Sequence, residues 1–239
     1  MAILISDYDC VCAAGTGMGD IRHAIETKKS GLRKNDFPNS DLPTWIGRVA
    51  EVDRQSLGPW QSRNNALAEI GLNLGTLAET IDQIKQQYSS RRVGIVMGSS
   101  TSSIDRTETA YSDLDSDGAV KSQYHQPQVH NPHAPSLFVA ERTGITGPAM
   151  TINTACSSSA KVFATAARWM ELGLIDAALV GGVDTLCLSV LHGFHSLQLV
   201  SEKPCRPFDT DRDGINLGEA AGFAAVSYTH LTLPTTPYV

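Results

Sequence analysis

Asn153-Thr-Ala-Cys156-Ser-Ser-Ser159 places a single cysteine where a strand gives way to a helix. Upstream, residues 150–155 read as a buried strand. Downstream, residues 160–172 carry helix formers, and Gly173 stands where a C-terminal cap belongs. Cys156 therefore lies at a predicted helix N-terminus. Unpaired backbone N–H groups and the macrodipole favour an anion there, and so favour thiolate over thiol. Ala155 and the three serines are small, which leaves room for a carbonyl and for backbone donors to approach it. That is the layout of a nucleophilic cysteine. The same pattern also fits a capped helix with a buried structural cysteine, since free cysteine is commonly buried.

Outward from this segment, Asp176-Ala-Ala-Leu-Val-Gly-Gly-Val-Asp184 reads as a short apolar strand ending in two glycines. Strand, helix and strand are expected to form a right-handed crossover with a parallel pair, the unit of an α/β fold. Residues 93–98 read as a buried strand entering the small-residue loop 99–103, residues 2–6 as the first strand, and residues 17–28 as the helix after it. Leu67, Ile70, Leu74, Leu77, Ile81 and Ile84 recur at threes and fours between residues 62 and 88. They predict one long helix packed on a sheet. Residues 30–60 are broken by Pro38, Pro43 and Pro59, and residues 113–135 form a polar excursion.

Composition narrows the class. The 239 residues are 41% hydrophobic and 18% charged, ordinary for a globular chain large enough to bury a sizeable core. No apolar run approaches the ~18–20 residues that span a bilayer, so no membrane span is expected. Met-Ala-Ile-Leu-Ile-Ser lacks a basic n-region and reads as a strand, which makes the cytoplasm the expected location. Five irregularly spaced cysteines imply neither a disulfide framework nor a metal site. The net charge of −6 argues against nucleic acid as a partner. Gly15-Thr-Gly-Met-Gly19 precedes a helix but lacks the spacing of a dinucleotide fingerprint, and no cofactor is implied.

Arg206-Pro-Phe-Asp-Thr-Asp-Arg-Asp-Gly-Ile-Asn-Leu-Gly-Glu-Ala-Ala-Gly222 completes an ordered set of three motifs. The TACSSS elbow, the GG-V-D strand end and this PFD-x-x-R-x-G-x-x-x-GE-x-x-G run together resemble the N-terminal half of a β-ketoacyl-acyl carrier protein synthase of the elongating type. Ser62-Arg-Asn-Asn65, Gly98-Ser-Ser-Thr-Ser-Ser103 and Gly193-Phe-His-Ser-Leu197 look most like the synthases of aryl-polyene clusters. The resemblance covers about residues 1–227. It implies the thiolase-like fold, layered α/β/α/β/α, of which only the N-terminal half of the duplicated architecture is expected here. Residues 228–239 change character abruptly, with prolines and threonines. They read as a non-native read-through tail, the other reading being a divergent terminus.

The resemblance further implies a reaction. An acyl group passes from acyl carrier protein to Cys156 as a thioester; a malonyl unit on carrier protein then loses CO2, and its carbanion attacks that thioester. Arg63, at a helix start, and Arg212, in the PFD run, are the positions it suggests for carrier-protein binding; each also reads as an ordinary surface arginine. The two decarboxylating histidines, the lysine and the second oxyanion donor belong to the family's second half and have no match here. His125, His130 and His133 lie in the polar excursion, outside the family's catalytic positions; His192 and His195 are three apart and could share a helix face, but no carboxylate or cysteine completes a metal set, and His23 sits in the first amphipathic helix. The chain is thus expected to encode the nucleophile half of an acyltransferase, truncated and inactive in condensation as given. Its expected partners are acyl carrier protein, acyl and malonyl thioesters, and a second synthase subunit in a homodimer or heterodimer, paired through the Cys-bearing strand. Competing readings are a non-catalytic chain-length-factor-type subunit, against which Cys156 weighs, and another thiolase-fold acyltransferase using acyl-CoA.

Overall fold

The computed structural model describes residues 3–54 and 56–228, so the expected tail lies from residue 229 onward outside the described residues. The first strand is longer than the sequence suggested. β1 runs Leu4–Cys12 and turns back through β2, Gly15–Thr16, before α1, Met18–Glu26. The glycines that precede α1 are not a phosphate cradle. Asp9 Oδ1 accepts from Met18 N at 2.8 Å and so supplies the anion that the helix N-terminus favours.

The stripe between residues 62 and 88 forms two helices rather than one: α2, Arg63–Leu72, and α3, Leu77–Tyr88. The break falls at Gly75, whose φ of +52° suits glycine and whose added Cβ would lie 2.7 Å from Asp9 Oδ2. Asn73 Nδ2 donates to Glu69 O at 2.7 Å and occupies a carbonyl in the last turn of α2. The apolar repeat survives the break because both helices cover the same side of the sheet.

β5, Val93–Gly98, is buried at every residue, as expected of a strand covered on both faces. Beside it run β6, Ala149–Ile152, and β7, Ala177–Asp184; β9, Ala220–Ser227, completes the core of the sheet. The order is β2-β1-β9-β7-β5-β6. β5 is parallel to β6 and β7, whereas β9 is antiparallel to β7 and β1. The expected β6–β7 pair is therefore not a hydrogen-bonded neighbour pair. β5 inserts between the two strands, and the crossover spans it.

α2, α3 and α5, Ala134–Thr143, pack on one face of the sheet around Leu67, Ile81, Phe138, Leu179 and Phe223. A single helix, α6, Ser158–Glu171, packs on the other through Val162, Ala166 and Met170. Gly173 ends α6 at φ +68°, with Leu174 N donating to Trp169 O and Gly173 N to Met170 O, a Schellman close. A small sheet, β3 (Arg33–Lys34), β4 (Trp45–Gly47) and β8 (Leu217–Gly218), carries the chain past α7, Leu188–Ser196. α4, Ile104–Ser112, follows the loop after β5.

Candidate functional site

β5, β6 and β7 are parallel, so their C-terminal ends meet at one edge, the place where α/β sheets carry ligands. Cys156 stands there between β6 and α6, and it is exposed; the other four cysteines are buried or half-buried. In this chain the thiol is therefore not a buried group. Ala155 holds φ at +53°, a left-handed conformation rare for a residue with a Cβ, and turns the chain sharply before the helix.

The elbow is braced from within. Ser158 Oγ donates to Ala155 O at 2.6 Å and accepts from Thr154 N at 2.9 Å. Ser157 Oγ donates to Thr154 O at 2.9 Å. It is braced from below by glycine. A Cβ on Gly98 would lie 2.7 Å from Ser158 C, and one on Gly182 would lie 2.2 Å from Ser159 Oγ. Only bare backbone at the ends of β5 and β7 lets the start of α6 sit this close. The second glycine of the pair in β7 is therefore a packing requirement of the elbow. The first, Gly181, accommodates Phe223, whose Cδ1 would be 2.6 Å from an added Cβ.

Asp184 closes the strand ends together. Its Oδ1 accepts from Ser99 Oγ at 3.1 Å and Ser100 N at 2.6 Å, and its Oδ2 from Ser100 Oγ at 3.0 Å. Ser99 N in turn donates to Ile152 O at 3.1 Å, so the ends of β5, β6 and β7 form one hydrogen-bonded rim. Two clefts flank the elbow. One of about 480 Å³ runs past Ser159, Gly182, Asp184 and Cys12, and one of about 260 Å³ past Asn153, Ser102 and His130. Sequence reasoning passed over Ser158 and Asp184. Both lie inside quoted motifs, the TACSSS elbow and the GG-V-D strand end, but their hydrogen-bonding roles depend on partners that the motifs do not show.

The two arginines expected to bind carrier protein stand in different settings. Arg63 opens α2 as expected, but its side chain is only 11% exposed and pairs with Glu219, whose side chain is fully buried. Glu219 also accepts from Val49 N at 2.8 Å and Leu186 N at 3.1 Å, so this acid ties four segments together. The guanidinium of Arg63 further lies over Phe37, 5.6 Å from the ring centroid. Its geometry is that of an internal strut. Arg212 is exposed, with its guanidinium donating to Asp209 O at 2.9 Å.

The remaining titratable groups do not converge with Cys156. Cys187 is pushed up to about 12 by burial, and Cys10 is raised by burial and by the neighbouring Cys12 and Asp9. His130 bonds Thr107 Oγ1 and Tyr124 O, and His133 accepts from Thr151 N at 3.3 Å. His192 and His195 are exposed on α7. Among the described residues no group of three metal-ligating side chains comes together, and no helix is long and apolar enough to cross a membrane.

A mixed sheet with helices on both faces and a cysteine at its strand-end elbow is the arrangement expected of the thiolase-like ketosynthase class. The chain belongs to the β-ketoacyl synthase family: residues 20–229 match the β-ketoacyl synthase N-terminal domain. It is 34% identical over 187 residues to nodulation protein E of Rhizobium meliloti (strain 1021), covering 77% of this chain and 44% of that protein. With 3-oxoacyl-[acyl-carrier-protein] synthase 2 of Mycobacterium bovis it shares 26% over 220 residues, 83% of this chain and 51% of that one. Among solved structures it resembles the ketosynthase ApeO in complex with its chain length factor ApeC from Xenorhabdus doucetiae. The TM-score is 0.79 at 28% identity, over 96% of this chain and 58% of that one. The chain thus spans about half the length of the curated relatives it matches.

Proposed function

We propose that this chain supplies the acyl-accepting half of a β-ketoacyl-acyl carrier protein synthase, with Cys156 as the nucleophile. The observation that carries this reading is the exposed thiol on a braced, left-handed elbow beside the start of α6. The Cys156 thiolate attacks an acyl thioester carbonyl. A new C–S bond forms, the tetrahedral oxyanion collapses, and the carrier's thiolate leaves. The Cys156 backbone N–H serves as the first oxyanion donor in this reading. Condensation with a malonyl unit is the activity of the whole synthase, and the acyl carrier protein is its donor.

β6 is an edge strand of the sheet, with Ala149 and Met150 exposed along it. This supports pairing through β6 with a second copy or a related synthase. Heterodimer formation has a parallel in the ketosynthase–chain length factor complex to which the chain is similar. The cytoplasm is the location that fits this chemistry. The finer assignment to the aryl-polyene synthases rests on the motif resemblance at residues 62–65, 98–103 and 193–197.

The test is intact-protein mass spectrometry after incubation with an acyl-loaded carrier protein. A mass increment equal to the acyl group is expected in the wild type and absent from Cys156→Ala. An increment of equal size in both chains would overturn the reading.

A further inference from the structure

We propose that Ser158 is a positioning residue for Cys156, holding Ala155 in its left-handed conformation by clasping both sides of it. The inference rests on Cys156 being the acyl acceptor. Residues 153–157 are exposed, so little packing holds the turn. Ser158 is 1% exposed, and its hydroxyl is the buried anchor beneath them. It accepts from the amide before Ala155 and donates to the carbonyl of Ala155 itself, at 2.9 and 2.6 Å. The same hydroxyl lies 3.4 Å from Ser99 O, in the loop that Asp184 fixes to the end of β7.

A left-handed φ is unfavourable for any residue with a Cβ, and Ala155 has no side-chain polar group to offset it. Without the clasp the turn relaxes toward ordinary φ, and the thiol leaves its place at the mouth of the helix. The Ser158 amide also donates to Ala155 O, at 3.0 Å, and is kept in Ser158→Ala, so the one bond lost without replacement is that from Thr154 N to the hydroxyl. Ser157 Oγ bonds the carbonyl of Thr154 and does not take that bond's place.

The experiment measures the alkylation rate of Cys156 by iodoacetamide, located by peptide mapping, in the full 239-residue chain. Four versions are compared: wild type, Ser158→Ala, Ala155→Gly and the double variant. Ser158→Ala is expected to slow alkylation about fivefold, the kinetic equivalent of one lost hydrogen bond. Glycine adopts the left-handed turn freely, so in the Ala155→Gly background the same change is expected to cost about twofold or less. Equal losses in both backgrounds, or no loss at all, would overturn the proposal. If Ser158→Ala does not fold, Ser158→Thr carries the test because it keeps the hydroxyl. A near-wild-type rate supports the clasp, and a fivefold loss with native circular dichroism contradicts it. If wild-type Cys156 accepts no acyl group from an acyl-loaded carrier protein, the acceptor reading fails, and the alkylation cycle still judges Ser158 separately.

Discussion

Arg63 and Glu219, 156 residues apart, meet in a bidentate ion pair, Nε to Oε2 at 2.7 Å and Nη2 to Oε1 at 2.5 Å. The pair joins the start of α2 to the entry of β9. Removing one partner strands a buried charge, which typically costs about 3–5 kcal/mol. Arg63→Ala and Glu219→Ala are each expected to lower the urea midpoint by a corresponding amount. Arg212→Ala, on an exposed loop, is expected to change stability by no more than about 0.5 kcal/mol. Carrier-protein affinity measured on Arg212→Ala then reports docking alone, whereas any loss in Arg63→Ala is confounded by unfolding.

Gly182 sits under the start of α6. An alanine there puts its Cβ on Ser159 Oγ and forces the helix off the sheet. Gly182→Ala is expected to destabilise the fold by about 1–3 kcal/mol, the usual range for overpacking. It should also slow Cys156 alkylation. Gly19→Ala, within α1 and with nothing within 4 Å of an added Cβ, is the control; it should not lower stability, since alanine favours a helix over glycine, and should leave the alkylation rate unchanged.

Asp105 accepts a hydrogen bond from Arg63 N at 2.9 Å, while its Oδ1 is buried without a partner. Burial raises its carboxyl above the ordinary value of 3.8, an effect that outweighs the lowering by the Arg63 amide and by Arg106. The folded state therefore holds this proton more tightly than the unfolded chain. Stability is lost through this group as pH rises from the ordinary value through the raised one. Asp105→Asn keeps an acceptor for Arg63 N and carries no charge. Its melting temperature is expected to exceed the wild type's at pH 7, with the gap closing as pH falls toward 4; a gap independent of pH would contradict this.

β1 leaves Ile5 and Tyr8 about half exposed, at 50% and 54%, on the face that α6 covers only in part. Together with Phe163 and Ala224 they line an apolar cleft of about 310 Å³. Contiguous apolar surface of this kind drives association. The chain by itself is expected to sediment with a concentration-dependent mass. A sharp monomer across the micromolar range would contradict that.

Much of this site was legible in the sequence because its requirements are local. Cys156, the small residues around it and the Gly173 cap mark a strand–helix elbow within one short stretch of sequence, although Gly98 and Gly182 from other strands brace it. Three features were not. The break at Gly75 depends on Asp9, distant in the chain, approaching where a side chain would stand. The separation of β6 from β7 is a property of strand order, and periodicity carries no information about which strand lies between two others. The inward turn of Arg63 depends on Glu219; a helix-start arginine looks the same in sequence whether it faces solvent or a buried acid.

The central claim is tested most directly by locating the acyl group. The wild-type chain is incubated with an acyl-loaded carrier protein at about pH 7.5, digested, and its five cysteine peptides are quantified. The account predicts the acyl group on the Cys156 peptide and none on the Cys187 peptide, whose thiol burial pushes up to about 12. Acylation spread over the cysteines in proportion to exposure, or absent from Cys156, would contradict it.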